Sequence, residues 1–296
     1  MNDADSTILL VDIGNSRVKW GITSNAPDFG SSQSAIAGVS DRLSGQQSEP
    51  VLVQTDSNLS AFDFRHIKIG EPFPTQTISS DKILSSIWGE IPQPLQVMVS
   101  NVAGLDIANQ LKAWAQQRWG LVPQFACSMV KGYGVSNAYR YPEKLGVDRW
   151  VALIAAHHAC PGPVCVVDCG TAITVDALDA EGNHLGGVIA PGLMVMRQSL
   201  AGGTHALPNA EDNFHHTLAI ETKAAIASGT LQAAAGLIER CIREITSRLG
   251  SKPRLWMTGG DASAIAPLLE IPFELKPELV LEGLLVIACN LKPKSS

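Results

Sequence analysis

The chain carries one phrase twice. Residues 8–16 read Ile-Leu-Leu-Val-Asp-Ile-Gly-Asn-Ser, an apolar run that ends in an acid and a small-residue turn. Residues 165–172, Cys-Val-Val-Asp-Cys-Gly-Thr-Ala, repeat it. A second apolar segment follows each turn, at 18–22 in the first copy and 173–178 in the second. Asp12 and Asp168 stand 156 residues apart in a chain of 296. Solenoid repeats recur every ~20–50 residues, so this period is too long for one. It fits two related domains, each offering a strand, a tight turn and a returning strand.

The apolar runs predict buried strands, being short, rich in Val, Ile and Leu, and stopped by glycine. A carboxylate at the end of such a strand is not placed for packing, because Asp is seldom buried without a partner. Gly14 and Gly170 let a ligand approach the main chain. Consecutive backbone N–H groups in such a turn form an anion-binding concavity. Asn15, Ser16 and Thr171 add side-chain donors. An acid beside an anion site suggests magnesium, a hard cation that bridges carboxylates and phosphates. The plainer alternative is a pair of hairpins whose Asp and Asn cap their own turns. Two copies at one offset favour the ligand-binding reading.

Composition narrows the class. At 45% hydrophobic and 17% charged residues, the chain can build sizeable cores and is not a disordered sequence. A net charge of −6 and the lack of any basic run exclude a typical nucleic-acid binder. No run reaches the ~18 apolar residues of a membrane helix. The start is acidic where a signal peptide would be basic, so a cytoplasmic location is expected. Six scattered cysteines without a CxxC pair read as reduced, buried thiols. The pairs His157-His158 and His215-His216 point to different sides of their element, which disfavours a histidine metal site.

Along the chain, 24–50 is polar and allows one short helix, and 51–53 reads as a strand. Helices are expected at 81–88, 106–119, 148–159, 193–200, 222–249 and 278–291. Further strands are expected at 95–102, 121–125 and 254–258, with a loop over 137–146 and a glycine-rich stretch over 186–192. This alternation predicts an α/β architecture with mixed sheets. Ligands in such folds sit at the carboxyl ends of strands. The strand-end turns at Asp12, Asp168 and Gly259 are therefore expected to line one cleft between the domains.

A second constellation stands outside the repeat. Leu145-Gly146-Val147-Asp148-Arg149-Trp150 lies where a loop meets a helix. Asp148 can serve as an ordinary N-cap and Arg149 as a surface residue. Alternatively, a carboxylate near a phosphate-binding turn can take a proton from a substrate hydroxyl, and a guanidinium can grip a carboxylate with two hydrogen bonds. Together they fit phosphoryl transfer to a small acid bearing an alcohol. Tyr139 and Tyr141, two of the three tyrosines, share the preceding loop and can shape a pocket or simply pack at the surface. Lys19 can point to solvent or reach a phosphate.

Taken together, residues 12–16 with Lys19-Trp20, then 146–149, 168–176, 186–192, Leu207-Pro208 and Thr258-Gly259-Gly260 resemble the type III pantothenate kinases, a family that includes Bvg accessory factors. The resemblance covers most of 7–22 and 137–292 and is thin over 24–95. It implies two ribonuclease-H-like (actin-like ATPase) domains with mixed sheets and an interdomain cleft, taken as 1–146 and 147–296. It implies ATP-dependent phosphorylation of pantothenate to 4′-phosphopantothenate, the first step towards coenzyme A. It further implies a homodimer, Mg²⁺, and a monovalent cation such as potassium or ammonium.

By the same resemblance, Asp148 is the general base. Tyr139, Gly146, Val147, Asp148 and Arg149 contact pantothenate, with Arg149 on its carboxylate. Asp12, Ile13, Gly14, Asn15, Ser16, Arg17, Val18 and Lys19 form the first ATP phosphate loop, Asp12 being the candidate magnesium ligand. Asp168 corresponds to the monovalent-cation aspartate and Thr171 to an ATP contact. Thr222 matches a threonine that contacts pantothenate from the dimer partner, although Glu221 stands where the family commonly has Asn. Rival readings are a kinase for another small hydroxy acid, a polyphosphate hydrolase, and a nucleotide-binding regulator without kinase activity.

Overall fold

A computed structural model describes residues 7–23, 67–203 and 218–291. The expected strand at 51–53, the helix within 24–50, the Leu207-Pro208 pair and His215-His216 lie outside the described residues. The chain divides into two compact units, Met1–Ala159 with Leu279–Ser296, and Cys160–Glu278.

The first unit opens with β1 (Ile8–Ile13), β2 (Arg17–Thr23), β3 (Ile67–Ile69) and β4 (Phe73–Pro74). Helix α1 (Asp81–Trp88), strand β5 (Gln96–Asn101), helix α2 (Leu105–Trp119) and strand β6 (Gln124–Phe125) follow. A small hairpin, β7 (Lys131–Gly132) and β8 (Val135–Ser136), precedes α3 (Val147–Ala159). The second unit holds β9 (Val164–Cys169), β10 (Ala172–Leu178), β11 (His184–Pro191), α4 (Leu193–Gly203), α5 (Thr222–Leu249), β12 (Arg254–Thr258), α6 (Ala262–Ile265) and β13 (Glu274–Leu275). The closing helix α7 (Leu279–Asn290) returns to the first unit.

The repeat seen in sequence is a repeat of topology. The first main sheet has the order β3-β2-β1-β5-β6, with β4 also on β2, and the second has the order β11-β10-β9-β12-β13. In each, three strands pair antiparallel in succession, β1-β2-β3 and β9-β10-β11, while β5 and β12 pair parallel with the central β1 and β9 and are followed by the parallel edge strands β6 and β13. These are the two mixed sheets that a pair of ribonuclease-H-like domains requires.

Strand β1 shows why its sequence is a continuous apolar run rather than an alternation. Leu9, Leu10 and Val11 are all buried, so both faces of the strand are covered. On one side, Trp20, Phe73, Trp88, Trp114 and Trp119 stack ring to ring, with centroids 4.9–6.1 Å apart. These largely edge-on arrangements are the favoured ones for aromatic quadrupoles. Helix α2 stops at Gly120, whose φ of 68° is the left-handed C-cap conformation that glycine adopts without strain.

Helices α3 and α7 pack on each other, α3 against β5 and α7 against β1 and β5. The middle of α3, Trp150 to Ala156, and nearly all of α7 are apolar and buried, as helices covered on all sides must be. At their crossing, a side chain on Gly283 would run into the backbone oxygen of Val151. This packing divides the chain differently from the expected boundary at 146/147, because α3 and α7 stay with the first sheet. In the second unit, Cys165, Val167, Ile173 and Val175 pack with Leu231, Ala234, Ile238 and Ile242 of α5.

Local chemistry explains the bounds of two strands. Strand β6 takes only Gln124–Phe125 of the expected 121–125, because Pro123 has no N–H to donate to a ladder. The glycine-rich stretch is an eight-residue strand, β11. Its Gly186 has φ 104°, and the β10·β11 register shifts between Asp176 and Leu178, so the glycine serves an irregular ladder.

Candidate functional site

Three structures hold the residues singled out in the sequence. In the first turn, the Gly14 N–H donates to the Arg17 carbonyl at 3.0 Å and closes the reversal between β1 and β2. Asn15, Ser16 and Arg17 are exposed, while Asp12 and Lys19 are partly buried. Asp12 pairs with Lys19 across the antiparallel ladder and with Ser100 across the parallel one. Directly paired residues present their side chains on one face, so carboxylate, ammonium and hydroxyl form a row beside the turn.

The turn is also held from outside. Thr75 donates its hydroxyl to the Gly14 carbonyl at 2.7 Å, and its N–H donates to the Ser16 carbonyl at 3.1 Å. Thr75 lies in a single 3₁₀ turn, Thr75–Ser79, 61 residues from Gly14. No local pattern marks it, which is why sequence reasoning missed it. Thr75→Val keeps the shape and removes one hydrogen bond, a loss of ~1 kcal/mol. The expected result is a fall of about 2–4 °C in melting temperature, measured by thermal denaturation.

In the second turn, Gly170 N–H donates to the Ala172 carbonyl at 3.1 Å. Asp168 pairs with Thr174 and with Thr258. The row here is hydroxyl, carboxylate, hydroxyl, with Thr174 standing where the first copy has Lys19. Gly192 N–H donates to the Thr171 carbonyl at 3.0 Å, and Asp261 N–H to the Cys169 carbonyl at 2.9 Å. A side chain on Gly192 would meet the Gly170 and Thr171 carbonyls, and one on Gly259 would meet the Asp168 carboxylate and the Cys169 backbone. Two further strand ends therefore crowd this turn, through glycines that let backbone meet backbone. Thr171 itself is exposed. Cys169 is no nucleophile: burial, then the nearby Asp168 and Asp261 carboxylates, push its thiol up to about 12.

The third structure is the loop that enters α3. Arg149 is buried at 6% exposure. Its Nη1 donates to the Tyr139 hydroxyl at 2.8 Å, and its guanidinium lies 5.5 Å from the Tyr139 ring centroid. Asp148 Oδ1 accepts the Arg149 N–H at 2.8 Å, at the amino end of α3. A side chain on Gly146 would contact that same carboxylate oxygen at 2.6 Å, so glycine leaves the room in which the carboxylate folds back. Ser128 Oγ donates to the Leu145 carbonyl at 2.8 Å and fixes the approach.

Tyr139, Gly146, Asp148 and Arg149 are thus brought together, with Val147 as the first residue of α3. Tyr141 stands apart at 58% exposure, with the Arg140 guanidinium 5.6 Å from its ring. Thr222 is exposed as the first residue of α5, and Glu221 before it makes no side-chain cap bond.

Donor chemistry decides which ions these rows suit. Among the described residues, no group of three or more His, Cys, Asp or Glu side chains is placed to hold a metal. Each turn instead offers one carboxylate flanked by a hydroxyl or two. That set suits a hard, oxygen-loving ion that keeps water or phosphate in its shell, and it does not suit zinc.

Comparison with known proteins supplies the family. The type III pantothenate kinase model matches residues 55–244. The type III pantothenate kinase of Nitrosococcus oceani is 36% identical over 292 residues, spanning 95% of this chain and 93% of that protein. That of Nitrosomonas eutropha is 38% identical over 213 residues, spanning 71% and 82%. Among solved structures, a conserved Baf family protein from Campylobacter jejuni superposes with a TM-score of 0.52 at 19% identity, covering 95% of this chain and 97% of that one. The ethanolamine utilization protein EutJ from Carboxydothermus hydrogenoformans gives 0.50 at 11% identity, covering 96% and 89%. At such identities the two structures speak to the fold alone. The matched model and the near full-length relatives place the sequence itself: the chain belongs to the type III pantothenate kinase family.

Proposed function

We propose that the chain transfers the γ-phosphoryl group of ATP to the primary hydroxyl of pantothenate, giving 4′-phosphopantothenate and ADP, the first step of coenzyme A biosynthesis. The observation that carries the substrate assignment is the Asp148–Arg149 pair at the head of α3, with Tyr139 on the guanidinium. Successive residues of a helix point about 100° apart, so these neighbours address different ends of an extended substrate. Arg149 holds the carboxylate, and Asp148 accepts the hydroxyl proton as the oxygen attacks phosphorus.

The first turn receives the ATP phosphates through its backbone N–H groups and the exposed Asn15 and Ser16. Lys19 adds positive charge on the face that carries Asp12. Asp12 would hold Mg²⁺, and Asp168, with its flanking threonines, would hold potassium or ammonium. Ions held there would supply positive charge that screens the phosphates. The chain's own part is positioning, which supplies much of the rate in phosphoryl transfer. Thr171 contacts the nucleotide. Thr222 reaches pantothenate from the partner subunit of a homodimer.

Among the described residues, no helix is long and apolar enough to cross a membrane, and the net charge of −6 offers nucleic acid no footing. These features support a cytoplasmic enzyme. The test is a coupled assay of ADP release with pantothenate, Mg²⁺-ATP and ammonium or potassium. Pantothenate-dependent ADP is expected. Nucleotide binding without any pantothenate-dependent ADP would instead indicate a regulator that has lost catalysis.

A further inference from the structure

The Arg149–Tyr139 contact depends on a loop, and one side chain organises that loop. Asn137 N–H donates to the Val130 carbonyl at 2.9 Å, tying the loop to the base of the β7–β8 hairpin. Asn137 Oδ1 accepts the Tyr139 N–H at 2.9 Å, and Asn137 Nδ2 donates to the Pro142 carbonyl at 3.2 Å. One amide thus joins both limbs of the segment that presents Tyr139. No other residue type of this size offers an acceptor and a donor together in that way.

The hairpin beneath is itself fixed. Its two-residue turn is Tyr133-Gly134, with φ of 52° and 79°. Left-handed backbone at a tyrosine costs energy and persists only where the surroundings enforce it. The enforcement comes from the far end of α3. A ring nitrogen of His158 is 3.0 Å from the Tyr133 carbonyl, and a side chain on Gly134 would strike the His157 ring. Helix α3 therefore grips the segment at both ends, by His157 and His158 at its carboxyl end and by Arg149 at its amino end.

We infer that Asn137 is a positioning residue for pantothenate: it sets the Tyr139 backbone, and Tyr139 through its hydroxyl sets the Arg149 guanidinium. The inference rests on the reading of Arg149 as the carboxylate-binding group. Asn137 touches no reacting atom, so its loss should weaken substrate binding and spare the chemical step.

The test is steady-state kinetics on Asn137→Ala, Asn137→Asp, Tyr139→Phe, Arg149→Ala and the double variant Asn137→Ala/Tyr139→Phe, with melting temperatures alongside. Asn137→Ala should raise pantothenate KM about tenfold, the effect of ~1.4 kcal/mol, with kcat and ATP KM within about twofold. Asn137→Asp keeps the acceptor for the Tyr139 N–H and should recover part of the loss. In the Tyr139→Phe background, Asn137→Ala should add less than about twofold, because the two act in series. Full additivity, an unmoved pantothenate KM, or equal losses in kcat and both KM values alongside a lower melting temperature would each overturn the inference. An Arg149→Ala variant with unchanged pantothenate KM would remove the site reading and the inference with it. A raised KM there with Asn137→Ala unaffected would remove the inference alone.

Discussion

Asp148→Asn should lower kcat by about 10² to 10⁴-fold, the usual contribution of a positioned general base, while the protein keeps its fold. The two halves of that expectation have separate grounds. Asn matches Asp in shape and is equally favoured at the amino end of a helix. Its side-chain oxygen can still accept the Arg149 N–H that Asp148 Oδ1 accepts at 2.8 Å. The space left by Gly146 suits either group. Melting temperature should therefore stay near that of the unaltered protein, and pantothenate KM should move little, because Arg149 and Tyr139 are untouched. An amide, however, cannot take the hydroxyl proton, so the attacking oxygen loses its base at the moment it bonds to phosphorus. Stopped-time measurement of ADP at saturating substrates reads kcat directly. A variant within about threefold of normal turnover would assign Asp148 to helix capping instead.

The paired sheets were legible in the sequence, and the allocation of helices to them was not. The repeat at Asp12 and Asp168 implied two equivalent strand–turn–strand units, and the two sheets share one strand order. The helix over Thr222–Leu249 was legible because its apolar residues recur at helical spacing between a polar start and a terminal glycine. The division of the chain was not legible. The middle of α3, Trp150 to Ala156, and nearly all of α7 are apolar on every face, so nothing in either says which sheet it covers. That α7 returns to the first sheet is a decision of tertiary packing, made where Gly283 lets the two helices close. Thr75 and Asn137 escaped notice for a related reason. Each works through a single hydrogen-bonding side chain aimed at backbone, and such a contact leaves no periodicity to read.

The two copies of the turn differ most in what surrounds them, and Gly259→Ala measures how tightly the second is enclosed. A side chain on Gly14 in the first turn would meet only the Arg17 carbonyl, at 3.2 Å. Gly259 is confined twice over. Its φ is 92°, outside the comfortable range of L-residues, and a Cβ would lie 2.5 Å from the Cys169 carbonyl carbon and oxygen, besides meeting the Asp168 carboxylate. Left-handed backbone costs ~1–2 kcal/mol in a residue with a side chain, and overpacking in a closed site costs a further ~1–3 kcal/mol. Backbone cannot rotate aside as a flexible side chain can. Gly259→Ala should therefore destabilise the protein by about 2–5 kcal/mol and displace the Asp168 carboxylate. The neighbouring Gly260 is the control. Nothing lies within 4 Å of a Cβ there, so Gly260→Ala should be neutral or stabilise by up to ~1 kcal/mol through the unfolded chain. Thermal melts of the two single variants decide the matter, since the expected shifts differ in sign or at least severalfold in size. Equal melting temperatures would mean that the second turn accommodates a side chain at Gly259 as readily as open space does at Gly260, and that the close approach of β12 to Asp168 does not set the geometry of the carboxylate.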